Sequence, residues 1–491
     1  MSWWARRPAP GARVAAAAVA LLALAALSLV WFRATYLSAD ALISLAWGGE
    51  LGRGEIPEVT APLMPVQHPL PTGVGMALSP LGPDGMIDGY RVLAIVSLIA
   101  LAYACFRLAE GFEGPVVGLL AVGLILTRPQ VVEYAQGAQI DIPFTALVLL
   151  GAMVALEDPV RNRWKALTLL MLAGLIRPEA WVLSGAYGAW LVLRGRARPV
   201  AGVVALALSA PALWAGFDLL LTGDPFSTAG EARGDFGSEL LAAGHEAPAG
   251  GGAARFEWLP GHDLIEPIVP GLPDLLGWPL AIAGVAAGVY VLRRRWAPRA
   301  GDRDPGSLAP LALLAVLVLT ALVVLKAFGF PYSSRFVVLP ACALAALAAA
   351  STVPLSRSQL GRLVLAAGAI AVVVALPRDL ERIGDRLSEG RESVEELDDA
   401  RVLARQPAVE AASGCGPLGA GGSINVINGV AVVAIQLGRD PAEIRIRYQP
   451  PLPPPASVLV LGSEGVERLE LERRPGPLLV EGTWVFAPSC R

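Results

Sequence analysis

The chain has 491 residues, of which 55% are hydrophobic and 16% charged. Ordinary soluble proteins carry about 25% charged residues, so neither one soluble domain nor several soluble domains account for this composition, and disordered chains lack such apolar content. A formal net charge of −3 provides no global attraction to nucleic acid, which leaves a polytopic α-helical membrane protein.

A bilayer core of about 30 Å takes roughly 20 apolar residues as a helix. On that window about eleven transmembrane helices are predicted. They cover 14–32, 91–108, 115–130, 139–157, 165–177, 179–193, 200–221, 274–292, 308–326, 336–353 and 362–377. Arg6, Arg7 and Arg13 precede the first run, which reads as an uncleaved helix in preference to a signal peptide. The fifth and sixth runs are short and meet at Arg177-Pro178-Glu179, as two tilted helices or one broken pair.

Arginine placement orients these spans. With the N-terminus in the cytoplasm, the inner loops hold Arg161, Arg163 and Lys165, then Arg194, Arg196 and Arg198, then Arg293, Arg294 and Arg295. The outer loops at 33–90, 222–273 and 327–335 are poorer in basic residues for their length. The expectation is a multi-pass protein of the cell (plasma or inner) membrane. Residues 1–376 form its membrane domain, and 377–491 form a small extracytoplasmic α+β domain.

The outer segments carry the polar chemistry. Ionisable groups at membrane depth are costly, so each needs a partner or a task. Asp40 follows the first span in Ala39-Asp40-Ala41-Leu42-Ile43-Ser44. It reads either as a carboxylate working at the membrane surface or as the N-cap of a helix over 41–51. His68, in Gln67-His68-Pro69-Leu70, suits a substrate hydroxyl or phosphate, or is simply a solvated loop histidine. Asp141, two residues before Pro143, sits where a helix start favours its charge. It also suits holding an acceptor, a metal or a leaving phosphate.

Arg177 needs a carboxylate or an anionic ligand. Glu179 is its local partner, and a lipid phosphate is the functional one, since a guanidinium matches phosphate oxygens as a fork. Arg335 and Lys326 add two more cations on the same side, with interfacial anchoring as their simpler reading. The three histidines, His68, His245 and His262, have no ligand spacing that points to zinc.

In the tail, 380–403 reads as an amphipathic helix with an acidic face. Beyond it, 424–435, 443–448, 457–461 and 478–486 read as β-like runs, with the prolines of 450–455 as a stiff connector. An oxidising exterior permits a Cys415–Cys490 disulfide, with two free thiols as the alternative. No nucleotide P-loop, zincin or nucleophile-elbow motif occurs.

Taken in order, these residues resemble the GT-C superfamily of integral-membrane glycosyltransferases. That superfamily includes protein O-mannosyltransferases, the aminoarabinose transferases of lipid A, and actinobacterial arabinofuranosyl- and mannosyltransferases. The features that carry the resemblance are Ala39-Asp40-Ala41-Leu42-Ile43-Ser44, Gln67-His68-Pro69-Leu70, Gln136-Gly137 through Pro143, Arg177-Pro178-Glu179-Ala180, Leu221-Thr222-Gly223-Asp224-Pro225, and Arg335-Phe336 through Pro340. Members often open the first motif with two acidic residues, and here the first is Ala39.

The resemblance implies transfer of a sugar, with inversion, from a polyprenyl-phosphate or diphosphate donor to an acceptor hydroxyl on a glycan, lipid or protein at the outer face. Asp40 would be the base. Arg177 and Arg335 would face the donor phosphate, and His68 and Asp141 would position the substrates. The resemblance implies no cofactor beyond a divalent cation (magnesium or manganese), which sometimes helps to stabilise the departing phosphate. The other readings are a non-catalytic scaffold of the same fold and a transporter or flippase of lipid-linked sugars.

Overall fold

The computed structural model describes residues 33–59, 67–196, 198–230, 275–296, 309–327, 334–356, 359–413, 418–421, 426–439, 444–446, 457–461 and 478–487. The run at 14–32, both Cys415 and Cys490, and His245 and His262 lie outside them.

After a turn at 33–34, the short extended stretch 35–38 leads into α1 (Ala39–Arg53). Next come α2 (Pro69–Leu78) and the long α3 (Gly82–Glu113). Gly114, at φ 103°, turns the chain into α4 (Pro115–Leu126). The apolar run expected at 115–130 is bent there. Pro129 opens α5 (Pro129–Gln136) at 73° to α4, as a broken span or re-entrant turn. Proline at the first helical position explains the break, because it cannot extend the helix before it.

The bundle continues with α6 (Asp141–Glu157), α7 (Arg163–Gly174), α8 (Glu179–Leu193) and α9 (Val200–Thr222). After the short α10 (Ser227–Gly230) come α11 (Trp278–Trp296), α12 (Ala309–Ala327) and, after a 3-10 turn at Ser334–Val337, α13 (Val338–Ser356). By length and composition, Pro69–Glu110 and Val200–Thr222 are, among the described residues, the two helices able to cross a bilayer, and there are three such spans if the bent pair α4–α5 counts as one.

Burial shows why these helices assemble. The alanine-rich α13 is buried along 337–350, where small side chains let α3, α4 and α11 approach closely. Outward, Val116, Leu119, Leu193, Leu208, Leu213 and Leu220 are exposed, an apolar face that suits acyl chains and would be costly in water.

The span expected at 362–377 and the amphipathic helix expected at 380–403 are one element. This is α14 (Gln359–Ala404), 46 residues that continue through Pro377. At 1.5 Å per residue it is about 70 Å long, more than twice a bilayer core. Residue 377 therefore falls within a helix, with no linker beside it.

Beyond α14, α15 (Pro407–Ser413) leads to a sheet of β1 (Leu418–Gly421), β2 (Ile444–Ile446), β3 (Ser457–Leu461), β4 (Leu479–Glu481) and β5 (Trp484–Ala487). Their order is β2-β1-β3-β5-β4. β1 is parallel to both β2 and β3, and β5 is antiparallel to β3 and β4. The stretch expected as β at 424–435 is instead a helix, α16 (Val426–Leu437). It joins two parallel strands, and a parallel pair needs such a crossover. Its run of valines and isoleucine is buried on several sides, and burial of that kind overrides local β propensity. The run expected at 478–486 is a hairpin that turns at Gly482, φ 53°.

A second core unites α1, the start of α3, the far end of α14, α16 and β5. Trp47, Trp484 and Phe486 are fully enclosed in it. Gly429 allows the contact, since a Cβ there would overlap the Trp484 ring, and Trp484 Nε1–H donates to Glu396 O at 2.8 Å. Asp84 pairs with Arg401 at 3.2 Å and also with Arg405, and Asp398 pairs with Arg91 and Arg401. The α16–sheet unit thus sits on the helix that carries Asp40.

Candidate functional site

Asp40, Asp141, Glu179 and Arg335 come from four distant segments, and each stands at the N-terminal end of a helix. Asp40 is the second residue of α1. It does not cap that helix, because Ser38 occupies the N-cap position. Asp141 and Glu179 are the first residues of α6 and α8, where unpaired backbone N–H groups favour a carboxylate. Arg335 lies in the 3-10 turn before α13.

The backbone fixes these ends relative to one another. Tyr36 N–H and Ser38 N–H donate to Gln136 O and Gly137 O, each at 2.9 Å, strapping the approach to Asp40 against the turn before Asp141. Ala138 completes that turn at φ 45°, a conformation few non-glycine residues adopt. Leu70 N–H donates to Leu175 O at 3.0 Å and binds the His68 segment to the Arg177 turn.

The side chains then form an alternating row of charges. Arg335 Nη1–H donates to Asp40 Oδ2 at 2.6 Å, and Arg335 Nε lies 3.9 Å from Asp141 Oδ2. Arg177 Nη1–H donates to Asp141 Oδ1. On its other side Arg177 forms a fork with Glu179, Nη2–H to Oε1 at 2.6 Å and Nε–H to Oε2 at 3.3 Å. The row reads Asp40, Arg335, Asp141, Arg177, Glu179. With carboxylates charged it carries one net negative charge.

Its two arginines differ in surroundings. Arg177 is buried, holds two carboxylates, and stacks 3.8 Å over the Phe336 ring with Phe144 at 5.4 Å. Its guanidinium is held on both sides by buried carboxylates. The Arg335 side chain is 31% exposed against 6% for Arg177, and Asp40 is 19% exposed against 1% for Asp141. The row is therefore sealed at Glu179 and accessible at Asp40.

Burial acts to raise the Asp40 carboxyl. The Arg335 charge, with His68 and Arg177 behind it, outweighs burial and holds Asp40 below the usual carboxylate range. His68 is buried beside this row, edge-on to Trp214 at 6.2 Å. Its Nδ1 lies 2.9 Å from Ile176 O. A carbonyl only accepts, so Nδ1 carries the proton and Nε2 presents a lone pair. Burial, more than any neighbour, lowers the imidazole to about 4.

Of the residues expected at the site, Asp40, Asp141, Arg177, Glu179 and Arg335 thus lie in one connected cluster, and His68 adjoins it. Lys326 belongs to α12, and its side chain lies outside the described set. The expected local pairing of Arg177 with Glu179 is present together with a second one, to Asp141. Phe144 and Trp214 shape the site without having been singled out, and Phe336, quoted only as part of a motif, stacks on Arg177. Phe336 follows Arg335 directly, and an aromatic beside a membrane arginine is the signal that marks it.

Among the described residues no group of three His, Cys, Asp or Glu side chains is arranged to hold a metal. The three carboxylates of the row already engage guanidiniums, so they do not fit a divalent cation as they stand.

No protein-family model and no curated protein sequence matches the chain. Solved structures do match it. ArnT from Cupriavidus metallidurans bound to undecaprenyl phosphate aligns over 98% of this chain and 99% of its own, with TM-score 0.53 and 12% identity. The apo state of the same protein aligns over 97% and 98%, with TM-score 0.51 and 12% identity. An Archaeoglobus fulgidus oligosaccharyltransferase tethered with an acceptor peptide aligns over 86% of this chain and 63% of its own, with TM-score 0.48 and 10% identity. Near-complete alignment in both directions means that this chain has the fold of ArnT.

Proposed function

We propose that the chain is a membrane glycosyltransferase that moves a sugar from a polyprenyl-phosphate donor to an acceptor hydroxyl at the non-cytoplasmic face. The observation that carries this reading is the accessible Asp40–Arg335 pair at the end of a buried charge row, in a fold shared with a protein solved with undecaprenyl phosphate. The pair offers the two groups that transfer requires, a base and a phosphate ligand.

In the proposed step, the acceptor O–H proton passes to the Asp40 carboxylate. The acceptor oxygen bonds to the anomeric carbon from the side opposite the phosphate, which inverts that centre. The bond from anomeric carbon to phosphate oxygen breaks, and its electron pair stays on the phosphate. Arg335 stabilises the charge that develops there. His68 Nε2, a neutral acceptor, orients a substrate hydroxyl. Arg177 holds Asp141 and Glu179 in place. The α16–sheet unit packs on α1, the helix that carries Asp40.

The competing reading is a non-catalytic scaffold of the same fold. In its favour, the charged groups of the row are paired within the protein. The test is transfer of a labelled sugar from polyprenyl phosphate by the full chain in vesicles. Asp40→Asn is expected to lower the rate by about 10²–10⁴-fold, the usual worth of a positioned base, with the folded state retained. Wild-type protein inactive with a panel of polyprenyl-linked sugars favours the scaffold. Retained transfer in Asp40→Asn removes Asp40 from the role of base.

A further inference from the structure

We infer that Arg335 and Asp40 form a latch that a phosphate group opens: the donor phosphate, a diester between sugar and lipid that leaves as the monoester, draws the Arg335 guanidinium off the Asp40 carboxylate, freeing Asp40 as the proton acceptor. This rests on the transfer reading above and adds to it which arginine exchanges partners and what that exchange does to the base.

Four observations carry it. The two guanidiniums are not equivalent. Arg177 is enclosed, forked onto Glu179, bonded to Asp141 and stacked on Phe336, so a ligand would have to strip two buried carboxylates from it. Arg335 has one close carboxylate, Asp40, and only a distant approach to Asp141 at 3.9 Å.

Second, the Asp40–Arg335 pair is the accessible end of the row. Third, Arg335 sits in a four-residue 3-10 turn next to a helix, not within one, and such a turn adjusts more readily than a helix interior. Fourth, while paired, Asp40 is a poor base. The guanidinium holds it below its ordinary range, and burial alone would push it above. Shifting Arg335 to phosphate therefore strengthens the base at the moment the leaving group is in place. An anion entering a row with one net negative charge also needs a cation released from a carboxylate, and Arg335 is the one so placed.

The experiment is a double-mutant cycle read as binding affinity, with the full chain in lipid nanodiscs. The probes are a polyprenyl monophosphate, the matching polyprenol and inorganic phosphate. Asp40→Asn is expected to tighten the monophosphate by about fivefold or more, the lower range of site coupling. Arg335→Gln weakens it, and in the Arg335→Gln background Asp40→Asn changes nothing further. The polyprenol shows no coupling. Coupling seen with inorganic phosphate as well assigns the trigger to phosphate itself, and coupling confined to the polyprenyl form assigns it to the lipid headgroup.

Unchanged or weaker binding in Asp40→Asn overturns the latch. Equal tightening in both backgrounds also overturns it, because that is general charge repulsion and not exchange. A second measurement avoids the Asp40 variant. With arginine 15N-labelled, a 31P–15N contact to the bound monophosphate is expected in the wild type and lost in Arg335→Lys. A contact that survives overturns the proposal. A monophosphate that binds no variant removes the transfer reading and the latch together. Binding and turnover without Asp40–Arg335 coupling remove the latch alone.

Discussion

The Arg335 guanidinium holds the Asp40 carboxylate at 2.6 Å across 295 positions of sequence. One long-range contact thereby sets the basicity of the residue proposed to take the acceptor proton. Asp40 is held down by Arg335 against a burial that acts the other way, so the two influences separate when Arg335 is removed.

The acid limb of the rate profile tests this. With Asp40 as base, activity falls as pH drops through its pKa, below the usual carboxylate range in the wild type. In Arg335→Gln only burial and weaker neighbours remain, and the limb moves to higher pH. The measurement is kcat/KM against pH for wild type and for the residual activity of the variant. An unmoved limb contradicts the assignment of Asp40 as base.

Arg177 and Arg335 are expected to fail in different ways. Arg177→Ala leaves Glu179 buried without its partner and Asp141 with only the 3.9 Å approach of Arg335, a loss of about 3–5 kcal/mol. Arg177→Lys is also damaging, since a point charge cannot reproduce the fork. Arg335→Ala exposes a more accessible carboxylate and costs less. Thermal unfolding in detergent is expected to rank Arg177→Ala well below Arg335→Ala, while transfer kinetics show Arg335→Ala impaired despite a near-normal Tm.

His68 predicts a pH dependence of stability. Its folded value of about 4 lies below its ordinary 6.5, so the unfolded chain binds more protons between these limits. Stability is complete above about 6.5 and falls as pH drops towards about 4, by at most about 3 kcal/mol. His68→Gln should flatten that slope. Denaturant midpoints from pH 4 to 7 check it, and a variant with unchanged slope places the titration elsewhere.

The α1–α2 crossing predicts a packing effect on the base. A Cβ at Gly48 would overlap backbone of α2 near Thr72 and Gly75, so Gly48→Ala must push the two helices apart. Overpacking of this kind costs about 1–3 kcal/mol. Because α1 carries Asp40, transfer should fall with Tm. Gly73→Ala, with nothing within 4 Å of its Cβ, is the control in the same segment.

The stretch 424–435 shows where sequence reading failed. Its alternating valines fit a strand, yet it is a crossover helix, because β1 and β2 are parallel and a parallel pair must be joined across the sheet. The break between 115 and 136 was not read from the sequence. The run 115–130 reads as one span, and the 73° bend before Pro129 appears only in the fold. Asp40 had two local explanations, and its N-cap reading was the cheaper one. Only Arg335, far along the chain, shows that the carboxylate is occupied otherwise.

The chain's own residues determined its solvent and its periodicity. Apolar runs of bilayer length, with arginines between them, specify membrane helices because backbone polar groups in lipid must be satisfied locally. They also ranked the candidates, since an ionisable residue at membrane depth needs a partner. What tertiary structure alone decided was the identity of those partners. Arg177 received two carboxylates and Arg335 one, and that asymmetry separates a structural guanidinium from an exchangeable one. Pairings across tens to hundreds of residues follow from which helix ends meet, and no local pattern encodes that meeting.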